Sequence, residues 1–384
     1  MNNCLIVLAA LLFAHGAAAD AIRARDLGIP FDGVPGSLNA ITDVAGVTVG
    51  HVTIINDLSN NHAVRTGVTA IIPRGRDSLN KPAFAGWFTL NGNGEMTGTT
   101  WVEESGFLEG PVMLTNTHSV GTVHQATIEW RIAQGAPDST GYYWSAPVVA
   151  ETWDGDLNDI NGFHVKPEHV FEALDSASAG PVAEGSVGGG TGMICHEFKC
   201  GIGTSSRIAR TADGSYTVGV LVQANYGWRE TLRVAGVPVG KYLRTNRASS
   251  KISETPSGGG SIIIVAATDA PLLPHQLKRV AKRTALGLAR VGSFASNASG
   301  DIFIAFSTAN TDADQSARGV SVRVLANDDI SPLFLATVEA TEEAIVNALV
   351  AGRDMTGDRG YSVQGIDHDA LVRVLREHNR YVGD

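Results

Sequence analysis

The sequence predicts an α/β protein, in which short buried strands are combined with helices that have one apolar face. Two strand-like runs, at residues 217–224 and 262–267, are uncharged and mostly apolar or β-branched. A stretch at about 274–291 has apolar residues at helical spacing. The chain is 43% hydrophobic and 18% charged and contains 44 glycines, which favours a tightly built protein with many turns.

Length and charge limit the classes of function. The 384 residues are enough for one large core or two domains. A net charge of −10 gives no electrostatic reason to bind nucleic acid or an anionic membrane surface. We therefore expect neither as a partner.

The N-terminal segment is typical of a secretory signal peptide. Residues 4–19 are almost uncharged and end in three alanines before Asp20. The segment is too short to span a bilayer comfortably, and it has an A-x-A exit. We predict cleavage after Ala19 and a periplasmic or secreted protein. The alternative is an uncleaved N-terminal helix, because the first three residues carry only the α-amine.

Two cysteines, Cys195 and Cys200, follow the predicted signal segment. An oxidising compartment permits a bridge between them. Their spacing around His196 also suggests a metal, but two thiols and one histidine do not make a site. We predict two unpaired cysteines, no metal and no organic cofactor.

The first half of the chain contains strands separated by glycine-rich turns. Strands are predicted at 41–55 and 67–73, followed by a turn cluster, NGNGE, that contains one acid. His118, Ser119 and His124 come next. They lie in neither a G-x-S-x-G nor an H-E-x-x-H frame, so we interpret them as core or turn residues.

The middle of the chain contains polar residues at the ends of two strands. One strand, from about Trp144, leads into Glu151, Trp153 and further acids, of which one is expected to face a pocket. The glycine-rich loop at 186–192 lacks the Lys-Ser/Thr ending of a phosphate loop. The strand at 217–224 ends at Asn225, which can donate into a cleft or form an Asx turn.

The last third begins with a polar stretch at 244–257, predicted to be an exposed linker. A strand follows Ser261, and the helix at 274–291 follows the strand. Residues 296–301 are predicted to turn into a strand at 302–306, with Ser299 and Asp301 in the turn. Helices near 332–350 and 368–378 end the chain.

The junction between Gly260 and Ser261 has the composition that self-cleavage requires. Three glycines allow strained backbone and close approach, and we expect an exposed peptide bond before a rigid strand. Attack by the Ser261 hydroxyl on the Gly260 carbonyl, followed by hydrolysis, would leave Ser261 as a new N-terminus. An α-amine titrates near ~8 and can then act as the general base. Alone, the motif is more typical of a flexible linker before an ordinary core strand.

Several long segments together resemble the DmpA/BapA family of self-processing L-aminopeptidase/D-esterases and β-peptidyl aminopeptidases. They include RARDLGIPFDGVPGSLNAITDVAGVTVGH, the NGNGE and TNTHSVG loops, GGGTGMICHEFKCGIGTSSR, VLVQANYG and GGGSIIIVAATDAPLLPHQLKRVAKR. The resemblance extends from about Ala21 to the C-terminus. It implies a four-layer αββα sandwich, as also found in ornithine acetyltransferases. It further implies an α-subunit at 20–260, a β-subunit at 261–384, both in one folded domain, and a homotetramer of αβ units.

The resemblance also assigns roles to individual residues. It makes Ser261 the nucleophile, Asn225 the oxyanion donor and Glu151 the acid that binds the substrate's free ammonium group. The serine-plus-acid pair that orients the nucleophile corresponds to Ser299 and Asp301, where some relatives have glutamate. A tyrosine near the oxyanion site corresponds to Trp153, with Tyr142 or Tyr143 as alternatives.

The function predicted from these residues is that of a self-processing serine aminopeptidase. Its substrates would be short peptides, amides or esters with a free N-terminus and an N-terminal β-amino acid, D-alanine or small L-residue. The alternative enzyme is an N-acyltransferase of the ornithine acetyltransferase type, which uses threonine as nucleophile. The non-enzymatic alternative is a secreted binding protein in which GGGS is a linker.

Overall fold

The computed structural model describes residues 22–76, 79–135, 139–243, 260–314 and 319–383. The predicted signal segment and the predicted linker at 244–257 lie outside these ranges, as do Gly258 and Gly259. The predicted cleavage junction is described from Gly260 onward.

Strands and helices occur along the whole of the described chain. The strands are β1 (Thr48–Asp57), β2 (Ala63–Ile72), β3 (Ala83–Gly92), β4 (Phe107–Leu108), β5 (Val112–Asn116), β6 (Val148–Thr152), β7 (Ile194–Cys195), β8 (Phe198–Lys199), β9 (Ile202–Thr211), β10 (Gly214–Asn225), β11 (Gly260–Thr268), β12 (Ser299–Ser307), β13 (Met355–Thr356) and β14 (Ser362–Val363). The helices are α1 (Thr99–Ser105), α2 (Val120–Ala133), α3 (Pro167–Asp175), α4 (Pro274–Arg290), α5 (Ser331–Val350) and α6 (His368–Glu377).

Most of the strands form two larger sheets. One sheet has the order β1-β2-β5-β6, and the other has the order β4-β3-β12-β11-β10-β9. Strands β5 and β6 pair in parallel, as do β11 and β12, whereas the other neighbours in these two sheets are antiparallel. The strands β7 and β8 form a separate short hairpin, and so do β13 and β14.

Three apolar cores separate four layers. Leu114, Ile263 and Ile304 belong to the core between the two sheets. The outer face of the six-stranded sheet packs on α4 and α5, and that of the four-stranded sheet packs on α2 and α3. The order helix, sheet, sheet, helix confirms the predicted αββα sandwich.

Strand β11 is buried on both faces, which explains its uninterrupted apolar sequence. Ile263 and Val265 point into the core between the sheets, while Ile262 and Ile264 point toward α4 and α5. Because side chains alternate along a strand, this pattern places the side chain of Ser261 on the face between the sheets.

Helix α4 agrees with its prediction almost to the residue. Pro274 occupies the first turn, and the Gln276 side chain accepts the Leu273 backbone N–H at 2.9 Å. Leu277, Val280 and Leu288 are buried, as their spacing predicts.

The strand predicted at 41–55 begins later than expected. Residues Ile41–Asp43 form a short 3-10 helix, and β1 begins at Thr48. The Asp43 carboxylate accepts the backbone N–H groups of Leu38 and Ala40 and so favours a turn over a strand.

Two expectations about the predicted junction are wrong. Ser299 and Asp301 lie within strand β12 and not in a turn, because β12 continues its parallel pairing with β11 as far as Gly260. The peptide bond before Ser261 is not an exposed loop bond, since Gly260 is already the first residue of β11 and Ser261 is only 6% exposed.

The segments before and after this junction share one sheet. Strands β11 and β12 come from 261–384 apart from Gly260, and they lie between β3 and β10, which precede the junction. Separating the two segments would break strand pairings on both sides. In the described residues, none of the helices is long and apolar enough to cross a membrane.

Candidate active site

The hydroxyl of Ser261 lies at the beginning of β11, between the sheets. The backbone N–H of Gly300, on the neighbouring strand, donates to the Ser261 Oγ at 3.2 Å. A Cβ at position 300 would lie 2.9 Å from this oxygen and 2.4 Å from the Asn93 carbonyl oxygen. Only glycine therefore fits beside the hydroxyl.

Asn225 is the last residue of β10 and pairs directly with Ser261 across the antiparallel strands. Its Oδ1 accepts the Ile194 N–H at 2.8 Å, and its Nδ2 donates to the Trp153 carbonyl at 2.8 Å. These two bonds fix the orientation of the amide. Since an amide nitrogen carries two hydrogens, one N–H has no partner among the described residues and can donate to another oxygen.

Glu151 is held in a defined position near the end of β6. The residue is 3% exposed. Its Oε1 accepts the Glu95 backbone N–H at 3.0 Å, and its Oε2 accepts the Thr117 hydroxyl. Burial raises the pKa of this carboxyl, and the two hydrogen bonds act in the opposite direction. A buried carboxylate of this kind can bind a cation that enters the cleft.

Gly94 connects Glu151 with the serine. A Cβ at position 94 would lie 3.2 Å from Glu151 Oε1 and 3.3 Å from the Gly300 Cα. Gly300 is the residue whose backbone N–H donates to Ser261. The predicted turn cluster is thus the wall between the acid and the hydroxyl. Its Glu95 takes part through the backbone N–H and not through its exposed carboxylate.

Ser299 and Asp301 are paired, but they lie on the other face of the sheet. The Ser299 hydroxyl donates to Asp301 Oδ1 at 2.6 Å. The side chains of Ser299 and Asp301 lie on the same face of β12 as that of Phe303, which packs toward α4 and α5. The Ser261 side chain lies on the opposite face of the sheet. Because Gly260 pairs with Ser299, the Ser299–Asp301 pair is adjacent to the backbone at 260–261. The pair does not face the Ser261 hydroxyl in this conformation.

Tyr226 is a neighbour of this pair that the sequence analysis did not single out. It is 3% exposed, and the charge of Asp301 acts on its hydroxyl. Burial, followed by that charge, raises the pKa of Tyr226 well above its usual value, so the phenol stays protonated. Burial also raises the pKa of Asp301 to about 6. Only the residue's place in the ANYG segment, directly after Asn225, could have indicated it.

Trp153 is near the site through its backbone. Its carbonyl accepts the Asn225 amide, while its indole is 41% exposed and contacts the His118 ring edge-on. The alternatives Tyr142 and Tyr143 precede β6, whereas Trp153 follows it, and Arg131 packs over the Tyr143 ring. Trp153 is thus the aromatic residue on the Asn225 side of β6.

His118 and Ser119 do not form a hydrolase pair. Residues Thr117–Ser119 make a short 3-10 helix, in which the Asn116 side chain accepts the N–H groups of both residues. Burial lowers the pKa of His124 in α2. Within the described ranges, no three His, Cys, Asp or Glu side chains converge in a way that could hold a metal ion.

The prediction of two unpaired cysteines is wrong. Cys195 and Cys200 form a disulfide, with their Cα atoms 5.7 Å apart. His196 and Glu197 both adopt left-handed φ values, 48° and 64°, which close a tight hairpin between β7 and β8. The buried Lys199 Nζ donates to the carbonyls of Met193 and Cys200. The hairpin carries Ile194, whose N–H holds the Asn225 amide.

Replacing both Cys195 and Cys200 by serine is expected to lower kcat roughly tenfold, because small misplacements of catalytic groups are costly. The same variant should lose about 2 kcal/mol of stability. Steady-state kinetics and thermal unfolding measure the two effects, and reductant-treated wild-type protein should show both as well. A loss of stability with unchanged kcat would mean that the hairpin does not position Asn225.

Comparisons with known proteins identify the family of the chain. The sequence model of peptidase family S58 matches residues 39–363. The beta-peptidyl aminopeptidase BapA of Sphingosinicella microcystinivorans is 53% identical over 389 residues, covering 97% of each chain.

Two solved structures also match almost the whole fold. A beta-aminopeptidase from Burkholderia sp. is 51% identical with a TM-score of 0.84, over 94% of this chain and 99% of that one. The L-aminopeptidase D-Ala-esterase/amidase from Ochrobactrum anthropi is 48% identical with a TM-score of 0.87, over the same shares. The latter is described as a prototype for the serine aminopeptidases and a variant of the Ntn hydrolase fold.

The predicted resemblance to the DmpA/BapA family is thereby confirmed. The structure also has the αββα sandwich that this resemblance implies. The chain therefore belongs to peptidase family S58 and is a serine aminopeptidase, as the sequence predicts.

Proposed function

We propose that this aminopeptidase cuts its own chain between Gly260 and Ser261 and then uses the new N-terminal serine as its nucleophile. The observation that carries the proposal is the arrangement of polar groups around Ser261. The Gly300 N–H donates to its hydroxyl, Asn225 pairs with it across the strands, and Gly94 connects Gly300 with the Glu151 carboxylate.

Self-cleavage begins with attack of Ser261 Oγ on the Gly260 carbonyl carbon. The C–N bond to Ser261 breaks, the hydroxyl proton moves to the departing nitrogen, and an ester forms. Water then hydrolyses the ester to a Gly260 carboxylate and restores the Ser261 hydroxyl, beside the amine that was freed when the C–N bond broke. Glycine is required before the bond, because a Cβ there would lie 2.4 Å from the Asn225 carbonyl oxygen.

Substrate turnover repeats this chemistry in trans. The α-amine of Ser261, with a pKa near ~8, accepts the hydroxyl proton as Oγ attacks the first carbonyl of the substrate. The second N–H of the Asn225 amide and the Gly300 N–H donate to the oxyanion. The proton passes to the leaving amine, and water releases the N-terminal residue from the acyl ester.

Ser299 and Asp301 are proposed to position the new amine. Their face of the sheet adjoins the backbone at 260–261, where the amine forms. Asp301 Oδ2 is buried and accepts no hydrogen bond from the residues described. A carboxylate oxygen in this position can hold the α-amine and orient its lone pair toward the serine oxygen. Asp301 therefore acts through the amine and is a positioning residue.

The substrate's free ammonium group is proposed to bind Glu151. We expect Glu151→Gln to raise KM about ten- to hundredfold for a substrate with a free amine, with a smaller change in kcat. A hydrogen bond between charged groups contributes about 1.5–3 kcal/mol, and the glutamine keeps the size but loses the charge. Initial rates on matched amides with and without the α-amine measure the effect.

Glu95→Gln is the matched control, because its exposed carboxylate is next to the same loop N–H that holds Glu151. It should behave like wild type. For wild type, KM should also rise as the pH falls through the Glu151 pKa, which burial shifts above the ordinary glutamate value. An unchanged KM in Glu151→Gln, or equal cleavage of the amine-free substrate by wild type, would contradict this role.

Export and assembly are part of the same proposal. The apolar segment at 4–19 supports secretion to the periplasm or beyond, and the disulfide is typical of an oxidising compartment. The family resemblance supports a homotetramer of αβ units. The relatives named above support substrates with an N-terminal β-amino acid or D-alanine.

A further inference from the structure

Three exposed aromatic rings meet beside the active site. His118 contacts the Trp153 ring edge-on at 5.8 Å between centroids and stacks on Phe163 at 6.0 Å. Trp153 is 41% exposed and Phe163 is 55% exposed. We name this group the aromatic shelf. Its members come from three separate segments, before α2, after β6 and before α3.

The backbone holds the shelf in place, with Phe163 in a strained conformation. Phe163 adopts a left-handed conformation, with φ and ψ both 52°, which is an unfavourable region for a bulky residue. The Lys166 Nζ donates to the Phe163 carbonyl at 2.7 Å. A Cβ on Gly155 would lie 2.3 Å from the indole ring, so the indole packs directly on the Gly155 backbone. The exposed rings are thus fixed by their supports.

The shelf adjoins both ends of the proposed binding site for the first substrate residue. Thr117, the neighbour of His118, donates to Glu151, and the His118 ring is near enough to act on that carboxylate by its charge. At the other end, the Trp153 carbonyl holds the Asn225 amide. A residue whose ammonium group binds Glu151 and whose carbonyl binds Asn225 would thus lie between two contacts that are made by Thr117, the chain neighbour of His118, and by Trp153 itself.

We propose that the aromatic shelf binds the side chain of the substrate's N-terminal residue and favours aromatic and other flat apolar side chains. The inference rests on the proposed function, because Glu151 and Ser261 define where that residue lies. Rings stack and pack edge-on with other rings more favourably than their area alone predicts. Such a side chain would also remove the exposed shelf from water.

A second exposed aromatic pair provides the matched control. Trp101 and Trp144 contact each other edge-on at 5.3 Å, and Trp144 is 48% exposed. Trp144 precedes β6, whereas Trp153 follows it. A strand of this length separates them by roughly 15–20 Å. Trp144→Ala therefore removes an exposed ring of similar exposure without touching the shelf.

The experiment compares kcat/KM for dipeptide amides with one fixed leaving group. The N-terminal residue is β-homoglycine, β-homoalanine or β-homophenylalanine, and α-amino counterparts form a second series. The ratio of kcat/KM for β-homophenylalanine to that for β-homoglycine should be above one in wild type and in Trp144→Ala. Phe163→Ala should lower this ratio about tenfold. Phe163→Asn should do the same, because asparagine tolerates the left-handed backbone.

The outcomes separate this inference from the proposed function. If wild type cleaves the series but the ratio is the same in all variants, the shelf does not bind the side chain and the aminopeptidase assignment stands. A further series keeps β-homoalanine at the N-terminus and varies the leaving group. If the Phe163 substitutions change the preference of kcat/KM among these leaving groups, the shelf binds the other side of the scissile bond and the inference is wrong. If wild type cleaves no member and its Ser261 is never N-terminal, the proposed mechanism fails first.

Discussion

Ser261→Ala is expected to leave the chain as one uncut polypeptide and to reduce aminopeptidase turnover by at least about 10⁴-fold, since loss of a nucleophile removes the covalent route. Both effects are expected from one cause, because in the proposed mechanism the same hydroxyl cuts the chain and attacks the substrate. Denaturing electrophoresis and N-terminal sequencing measure the first effect. Active wild type should give two fragments, one of which begins with Ser-Ile-Ile-Ile.

Folding must be checked in this variant, although alanine removes only one oxygen from a nearly buried site. Circular dichroism and thermal unfolding should match those of an uncut wild-type precursor. Active wild-type protein that remains a single band would exclude the self-cleavage step. The fragments of a cut chain should separate only on denaturation, because β11 and β12 lie between β3 and β10.

Asn225→Ala is expected to lower kcat by about 10²–10³ with little change in KM, which is the usual effect of removing one oxyanion donor. Asn225 pairs with Ser261 across the strands, and its amide is held by Ile194 and Trp153. The amide N–H that has no partner among the described residues therefore has a fixed direction. Single-turnover kinetics on a substrate with a slow leaving group measure the chemical step.

Asn225→Asp removes the oxyanion donor and the bond to the Trp153 carbonyl but keeps the support from Ile194. The aspartate retains an acceptor for the Ile194 N–H but has no N–H to donate, and its charge opposes an oxyanion. Its kcat should fall at least as far as that of the alanine variant. A kcat in Asn225→Asp close to the wild-type value would show that the oxyanion is stabilised elsewhere.

Local sequence was sufficient to predict the central elements of the fold. The predicted strand at 217–224 lies within β10, the strand after Ser261 is β11, and α4 ends one residue before its predicted end. Each has a strong pattern, either continuous apolar residues or apolar residues at helical spacing. The glycines before Ser261 and the polar residues at strand ends indicated Ser261, Asn225 and Glu151 as residues of interest.

Other features depend on contacts between distant segments. The Cys195–Cys200 disulfide forms because two left-handed residues close the hairpin, a geometry that cysteine spacing does not determine. Thr117 and the Glu95 N–H contact Glu151 only after β5, β6 and the turn after β3 come together. No local pattern marks such partners.

The sequence by itself determined the family, through its long similar segments, and indicated Ser261, at the start of a buried strand, as the candidate nucleophile. Only the tertiary structure decided which groups face that serine. Pairing of β11 with β10 and β12 places Asn225 and Gly300 beside its hydroxyl and leaves Ser299 and Asp301 on the opposite face. The physical reason is that strand register and side-chain direction are fixed by packing between remote segments, which local sequence does not specify.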